Sequence, residues 1–133
     1  MRLVLPGFLL LAACSSETPQ SQPERGLYAG EGRDRLCFAG ERAGLIAYGE
    51  GDANCSLRGR VEKTGDQNLT IIPDGDEDCR IEARQQGKMI RIKSLSEACD
   101  YYCGPGAGLD GKAFAKDAAA SPAVDFAGDP LCG

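Results

Sequence analysis

Seven cysteines and no histidine set the chemistry open to this chain. Without histidine, the Ser-His-Asp and Cys-His arrangements of nucleophilic catalysis are unavailable. No spacing points to Ser-Lys or paired-carboxylate chemistry either, so we expect a protein that is not an enzyme. The sequence holds no Cys-x-x-Cys pair, so it offers no familiar zinc ligand set, and we expect neither metal nor cofactor. Asp74, Asp76 and Asp78 alternate in PDGDEDC like the opening of a calcium loop. The pattern then fails, because Cys79 stands where a glycine is needed and Gln85 where a glutamate is needed. We read the segment as a solvated hairpin turn. Gly106 to Gly111 matches G-x-G-x-x-G as a string, without the preceding strand and following helix of a nucleotide site. It reads as a flexible turn.

An odd cysteine count asks what the unpaired one does. Arg2 is followed by an apolar run, Leu3 to Ala13, broken at Pro6-Gly7 and ending in small residues. That is the layout of a secretory signal, and it is shorter than the roughly 20 apolar residues of a membrane span. Its end, Leu11-Ala12-Ala13-Cys14, resembles the lipobox of bacterial lipoproteins at all four positions. The resemblance implies that residues 1–13 are a signal peptide and that Cys14 is lipidated and becomes the first mature residue. It implies membrane attachment through the N-terminal lipid. Two or more acyl chains hold such a protein firmly, where one holds it marginally. Ser15 in second place resembles the sorting pattern for the outer membrane, so the expected location is the cell envelope, on the periplasmic face of that membrane.

Removing Cys14 leaves six cysteines, an even number. In an exported chain, Cys37, Cys55, Cys79, Cys99, Cys103 and Cys132 read as a disulfide framework, with 15 pairings open. Cys99 and Cys103 have three residues between them, not the two of common dithiol redox motifs, and we expect each to bridge to a different partner. Cys132 is expected to tie down the C-terminus. The 15 basic residues, less Arg2, leave 14 against 20 acidic ones, a mature net charge of −6. This balance argues against nucleic-acid binding.

Residues 14–26 form the lipidated cysteine and a polar tether with two prolines. Residues 27–133 are the single domain that remains, small enough to profit from disulfides. From Arg33 to Ser94 the pattern is short and period two, interrupted by turn signals near Gly40, Gly49–Asp52, Thr64–Asp66, Pro73–Asp76 and Gly87. RDRLCFA, RAGLIAY, NCSLRGRVEK, NLTII, CRIEARQ and KMIRIKS read as strands, and KAFAK as a last one. The fold class is mostly β: a small antiparallel meander or barrel-like sheet with one short helix, stabilised by disulfides. Alternation puts Leu57, Val61, Ile81, Ala83, Ile90 and Ile92 on an apolar face opposite a charged, solvated one. Ser94-Leu-Ser-Glu97 reads as a capping box opening a helix that ends at Gly104-Pro105.

The candidate contact residues lie on the charged face. Arg58, Arg60, Arg80, Arg84, Arg91 and Lys93 form a cationic row suited to an anionic envelope polymer or an acidic protein partner. Tyr101 and Tyr102 offer a second contact patch. The expected function is therefore that of a non-catalytic cell-envelope lipoprotein that binds an envelope component or protein partner. The alternative is a periplasmic inhibitor of lysozyme or a similar hydrolase. Small β lipoproteins of that kind are similar in anchor, size and disulfide use, but no inhibitory motif of theirs is matched here. A carboxylate-dependent enzyme ranks third.

Overall fold

A computed structural model describes residues 25–132. The expected signal peptide, Cys14 and most of the expected tether lie outside these residues. Eight strands follow in order: β1 (Gly26–Ala29), β2 (Arg35–Ala39), β3 (Arg42–Tyr48), β4 (Asn54–Lys63), β5 (Asn68–Pro73), β6 (Ile81–Gln86), β7 (Met89–Leu95) and β8 (Ala113–Lys116). Each pairs antiparallel with the next, and β1 pairs with β8, so the meander closes into a barrel. Glycines with positive φ make the tight turns at Gly40 and Gly87, where the left-handed region is open to a residue without Cβ.

Period-two alternation fills the interior. Leu36 and Phe38, Leu45 and Ala47, Leu57 and Val61, Leu69 and Ile71, Ile81 and Ala83, and Ile90 and Ile92 are all buried in one core. Tyr28 and Phe114, fully buried, come from the two seam strands, and Tyr28 meets Phe38 edge to face at 5.5 Å. Each such Leu, Ile or Phe stabilises the barrel by about 1.5–3 kcal/mol. The barrel is small enough for its own side chains to fill it.

Three findings differ from expectation. First, the sheet gains β1, whose GLYA sequence is too short and too poor in β-branched residues to announce a strand. Second, the helix is a 3₁₀ segment, Glu97–Tyr102, and Ser94 does not cap it. Ser94 belongs to β7, opposite Glu82. Ser96 precedes the segment, and its hydroxyl accepts from Arg80 N–H at 2.9 Å and donates to the Asp78 carbonyl at 2.7 Å. Third, the outer wall is not solvated all round. Cys37 and Ile46 point outward yet are buried under Ala123 and Leu131 of the C-terminal tail.

Close approach explains one glycine inside a strand. Gly59 of β4 lies opposite Pro73, and a Cβ there would sit 2.0 Å from the Ile72 carbonyl oxygen. Backbone would have to move. Gly59→Ala is expected to lower stability by about 3 kcal/mol, the upper end for overpacking. A urea midpoint unchanged from wild type would show that the strand pair yields freely.

Candidate functional site

All six cysteines of the domain are paired: Cys37–Cys132, Cys55–Cys103 and Cys79–Cys99. Cys99 and Cys103 bridge to different partners, so they are staples of the 3₁₀ segment to β4 and to the turn before β6. Cys37–Cys132 fastens the tail to the outer wall.

Two carboxylates of the β5–β6 turn, Asp74 and Asp76, accept from protein donors. Asp74 receives a two-pronged contact from Arg42, one arm at 2.6 Å, and this guanidinium holds the Asp74 carboxyl below its usual range. Asp76 accepts from Tyr102 Oη at 2.8 Å and from the N–H groups of Asp78 and Cys79. The Tyr102 hydrogen bond lowers the Asp76 pKa. The Tyr102 phenol is in turn pushed up to about 12, first by burial and then by the Asp76 carboxylate. The folded state thus favours neutral Tyr102. Stability from this bond is complete between the ordinary carboxylate range and pH 10, the ordinary tyrosine value; it is lost as pH rises from there through about 12, and again as pH falls through the lowered Asp76 pKa. Tyrosinate absorbance should show Asp76→Ala moving one phenol down toward 10. An unchanged titration would disconnect the two groups.

A polar cluster that sequence reasoning missed sits at one end of the barrel. Asp34 is 2% exposed. Its Oδ1 accepts from Tyr48 N–H at 2.7 Å, and its Oδ2 meets Lys112 Nζ at 3.3 Å. Lys112 also donates to the Tyr48 carbonyl at 3.2 Å. The cluster joins the turn before β2, the end of β3 and the turn before β8. A signal was present, since Asp34, Leu36 and Phe38 share one face by period two. Arg33 covers it from outside, 3.8 Å over the Tyr48 ring. These groups satisfy one another, and the cluster reads as a structural latch.

Closure of the barrel divides the cationic row. On β4, Arg60 reaches Glu62 at 3.1 Å and Glu77 at 2.7 Å, and Arg58 lies 3.5 Å from Asp125 of the tail. Both carboxylate contacts raise the Arg60 pKa, Glu77 most. Two strands further round, Arg84 of β6 stands directly opposite Arg91 of β7. Arg84 donates to the Gln67 side chain at 3.0 Å, and Arg91 to the Gly111 carbonyl at 3.2 Å. Among the described residues, neither has a carboxylate within ion-pair distance, and the same holds for exposed Lys93 and for Arg80. Of the cationic row, Arg84, Arg91 and Lys93 on the β6–β7 wall are therefore left without an ion pair among the described residues, whereas Arg80 lies near enough to Glu77 to add to the Arg60 contact that chiefly lowers that carboxyl's pKa. The Tyr101 and Tyr102 rings meet edge to face at 5.2 Å but differ in exposure. Tyr101 is 86% exposed, whereas Tyr102 is half-buried and committed to Asp76.

The fold and its surfaces define a class: a small, disulfide-stapled, up-and-down β-barrel with a filled interior. No family model matches the chain, and no curated protein or solved structure matches it either.

Proposed function

We propose that this protein is a non-catalytic, lipid-anchored lipoprotein of the bacterial cell envelope, held on the periplasmic face of the outer membrane. Its barrel binds an anionic envelope component or acidic protein partner through the β6–β7 wall. The observation that carries this reading is the Arg84–Arg91 pair. Two like charges directly across a strand pair repel, so their placement, with Lys93 on the same strand as Arg91 and no ion pair to any of the three among the described residues, costs stability that an anionic ligand would restore. Guanidinium groups suit phosphate and carboxylate oxygens because they donate in a planar fork. The non-catalytic part is supported by the engagement of Asp34, Asp74, Asp76 and Tyr102 in structural hydrogen bonds.

The test uses the oxidised protein and two probes, purified lipopolysaccharide and detergent-treated envelope extract. Saturable binding that weakens with salt is expected. Arg84→Ala with Arg91→Ala should weaken it about tenfold, the sum of two exposed charge contacts. Binding unchanged in the double variant would reject the β6–β7 wall as the contact. Near-stoichiometric loss of lysozyme activity on adding the protein would replace this reading with the inhibitor.

A further inference from the structure

We propose that the wall formed by β2, β3 and the C-terminal tail is a membrane-docking face, which lays the barrel on the bilayer that anchors it. This rests on the lipid anchorage proposed above. Three features of the wall converge.

The first is apolar. The tail folds back on itself through the Val124–Pro130 bridge and leaves beside β1 and β2 a groove of about 390 Å³. Leu27, Ala120, Pro122, Val124 and Pro130 line it. The turn of this tail hairpin holds Phe126 in solvent, 62% exposed, while Phe38 and Phe114 are buried. An exposed aromatic ring in the turn between two groove-lining residues, Val124 and Pro130, fits the boundary between headgroups and acyl chains.

The second is polar. A cleft of about 460 Å³ adjoins the groove and shares Ala39, Pro130 and Cys132 with it. Arg25, Arg42 and Arg58 line this cleft. Asp74 and Asp125 orient Arg42 and Arg58 and offset their charge. A nearly neutral set of both signs suits the headgroup layer, which itself carries both signs, better than it suits a polyanion. Arginine also covers apolar surface with its stem while its head reaches phosphate.

The third is where the chain arrives. Arg25, the first described residue, is on the rim of the cleft, and Gly26 lines the groove. Ten residues, 15–24, separate it from Cys14 and span at most about 35 Å. An anchor that close confines the domain near the bilayer, so weak apolar contacts suffice. The strand order then sets the orientation. In a ring of eight, β3 lies opposite β7 and β2 opposite β6. Docking through the β2–β3 wall turns the Arg84–Arg91 wall away from the membrane and toward a partner.

The chain has no tryptophan, so a single one reports without background. Phe126→Trp and, on the opposite wall, Lys93→Trp are made in the full-length protein and reconstituted into phosphatidylethanolamine–phosphatidylglycerol vesicles. Part of the lipid carries brominated acyl chains. The Phe126→Trp emission is expected to shift blue and to be quenched about twofold or more, with Lys93→Trp near its value in buffer. Equal emission at the two positions overturns the docking face. The mass of the N-terminal peptide decides the anchor separately. If Cys14 carries no lipid, the anchor reading falls, and the same protein added to excess vesicles still tests the face. Quenching of Phe126→Trp supports it there, and emission unchanged from buffer overturns it. Circular dichroism confirms that each variant is folded, and Val124→Trp gives a second reporter within the groove.

Discussion

Replacing Asp34 by alanine is expected to destabilise the domain by about 3 kcal/mol, the lower end for breaking a buried ion pair. The carboxylate is almost wholly shielded from water, and both of its oxygens are used. Its loss leaves the partly buried Tyr48 N–H without its acceptor, which alone costs about 1–3 kcal/mol where water cannot replace it. It also leaves Lys112 with only the Tyr48 carbonyl. The Lys112 side chain keeps 26% exposure, so water partly compensates it, and the upper end of the range is not reached. Asp34→Asn retains an acceptor for the Tyr48 N–H and should cost clearly less. Urea unfolding measures all of this, and an alanine variant within about 0.5 kcal/mol of wild type would show that the latch holds nothing.

The second large effect is removal of the Cys37–Cys132 bridge by a double change to serine. The two residues are 95 apart in sequence, against 20 for Cys79 and Cys99. On the chain-entropy account, a closed loop of that length contributes roughly 4–5 kcal/mol and the shorter one about 3. The long bridge should therefore matter more, although it lies outside the barrel. A local effect comes with the global one. Without the staple, the tail is held by the packing of Ala123 and Leu131 on Cys37 and Ile46 and by exposed polar contacts, Arg35 to Ser121 and Arg58 to Asp125. Protease should then clip residues 117–132 before the barrel itself opens. Equal losses from the two bridges, or a tail that stays resistant, would contradict this account.

Most of the barrel wall was legible because its signal is local. Leu57 and Val61 against Arg58 and Arg60 state a face in four alternating residues, and glycine-bearing turns bracket each strand. Closure was not legible, because the β1–β8 seam rests on the two residue pairs Tyr28–Lys116 and Ala29–Ala115. No periodicity announces a contact between segments so far apart. The 3₁₀ segment was misread as a capped helix for a related reason. Ser94 and Glu97 have the capping spacing, but β7 claims Ser94 through its pairing with Glu82, and tertiary pairing overrides local propensity. RAGLIAY did carry a hint of the covered outer wall. It hardly alternates, as expected of a strand buried on both faces, and Gly44 in its middle sits against Leu131. The cationic row was readable as residues but not as a surface. A flat sheet would gather all six charges, whereas a ring gives Arg58 to Asp125 and leaves Arg84 beside Arg91.

The seam has a consequence for the order in which the chain can assemble. Joining β1 to β8 means closing nearly the whole domain into a loop before a single seam contact repays that entropy. Cys37 and Cys132 span almost the same interval. Once they are oxidised, the first and last strands stay near each other, and zipping the seam becomes a short-range search. In reducing conditions that search runs over the full chain length. An oxidising compartment would therefore do more than preserve the finished barrel: it would shorten the longest-range search in making it.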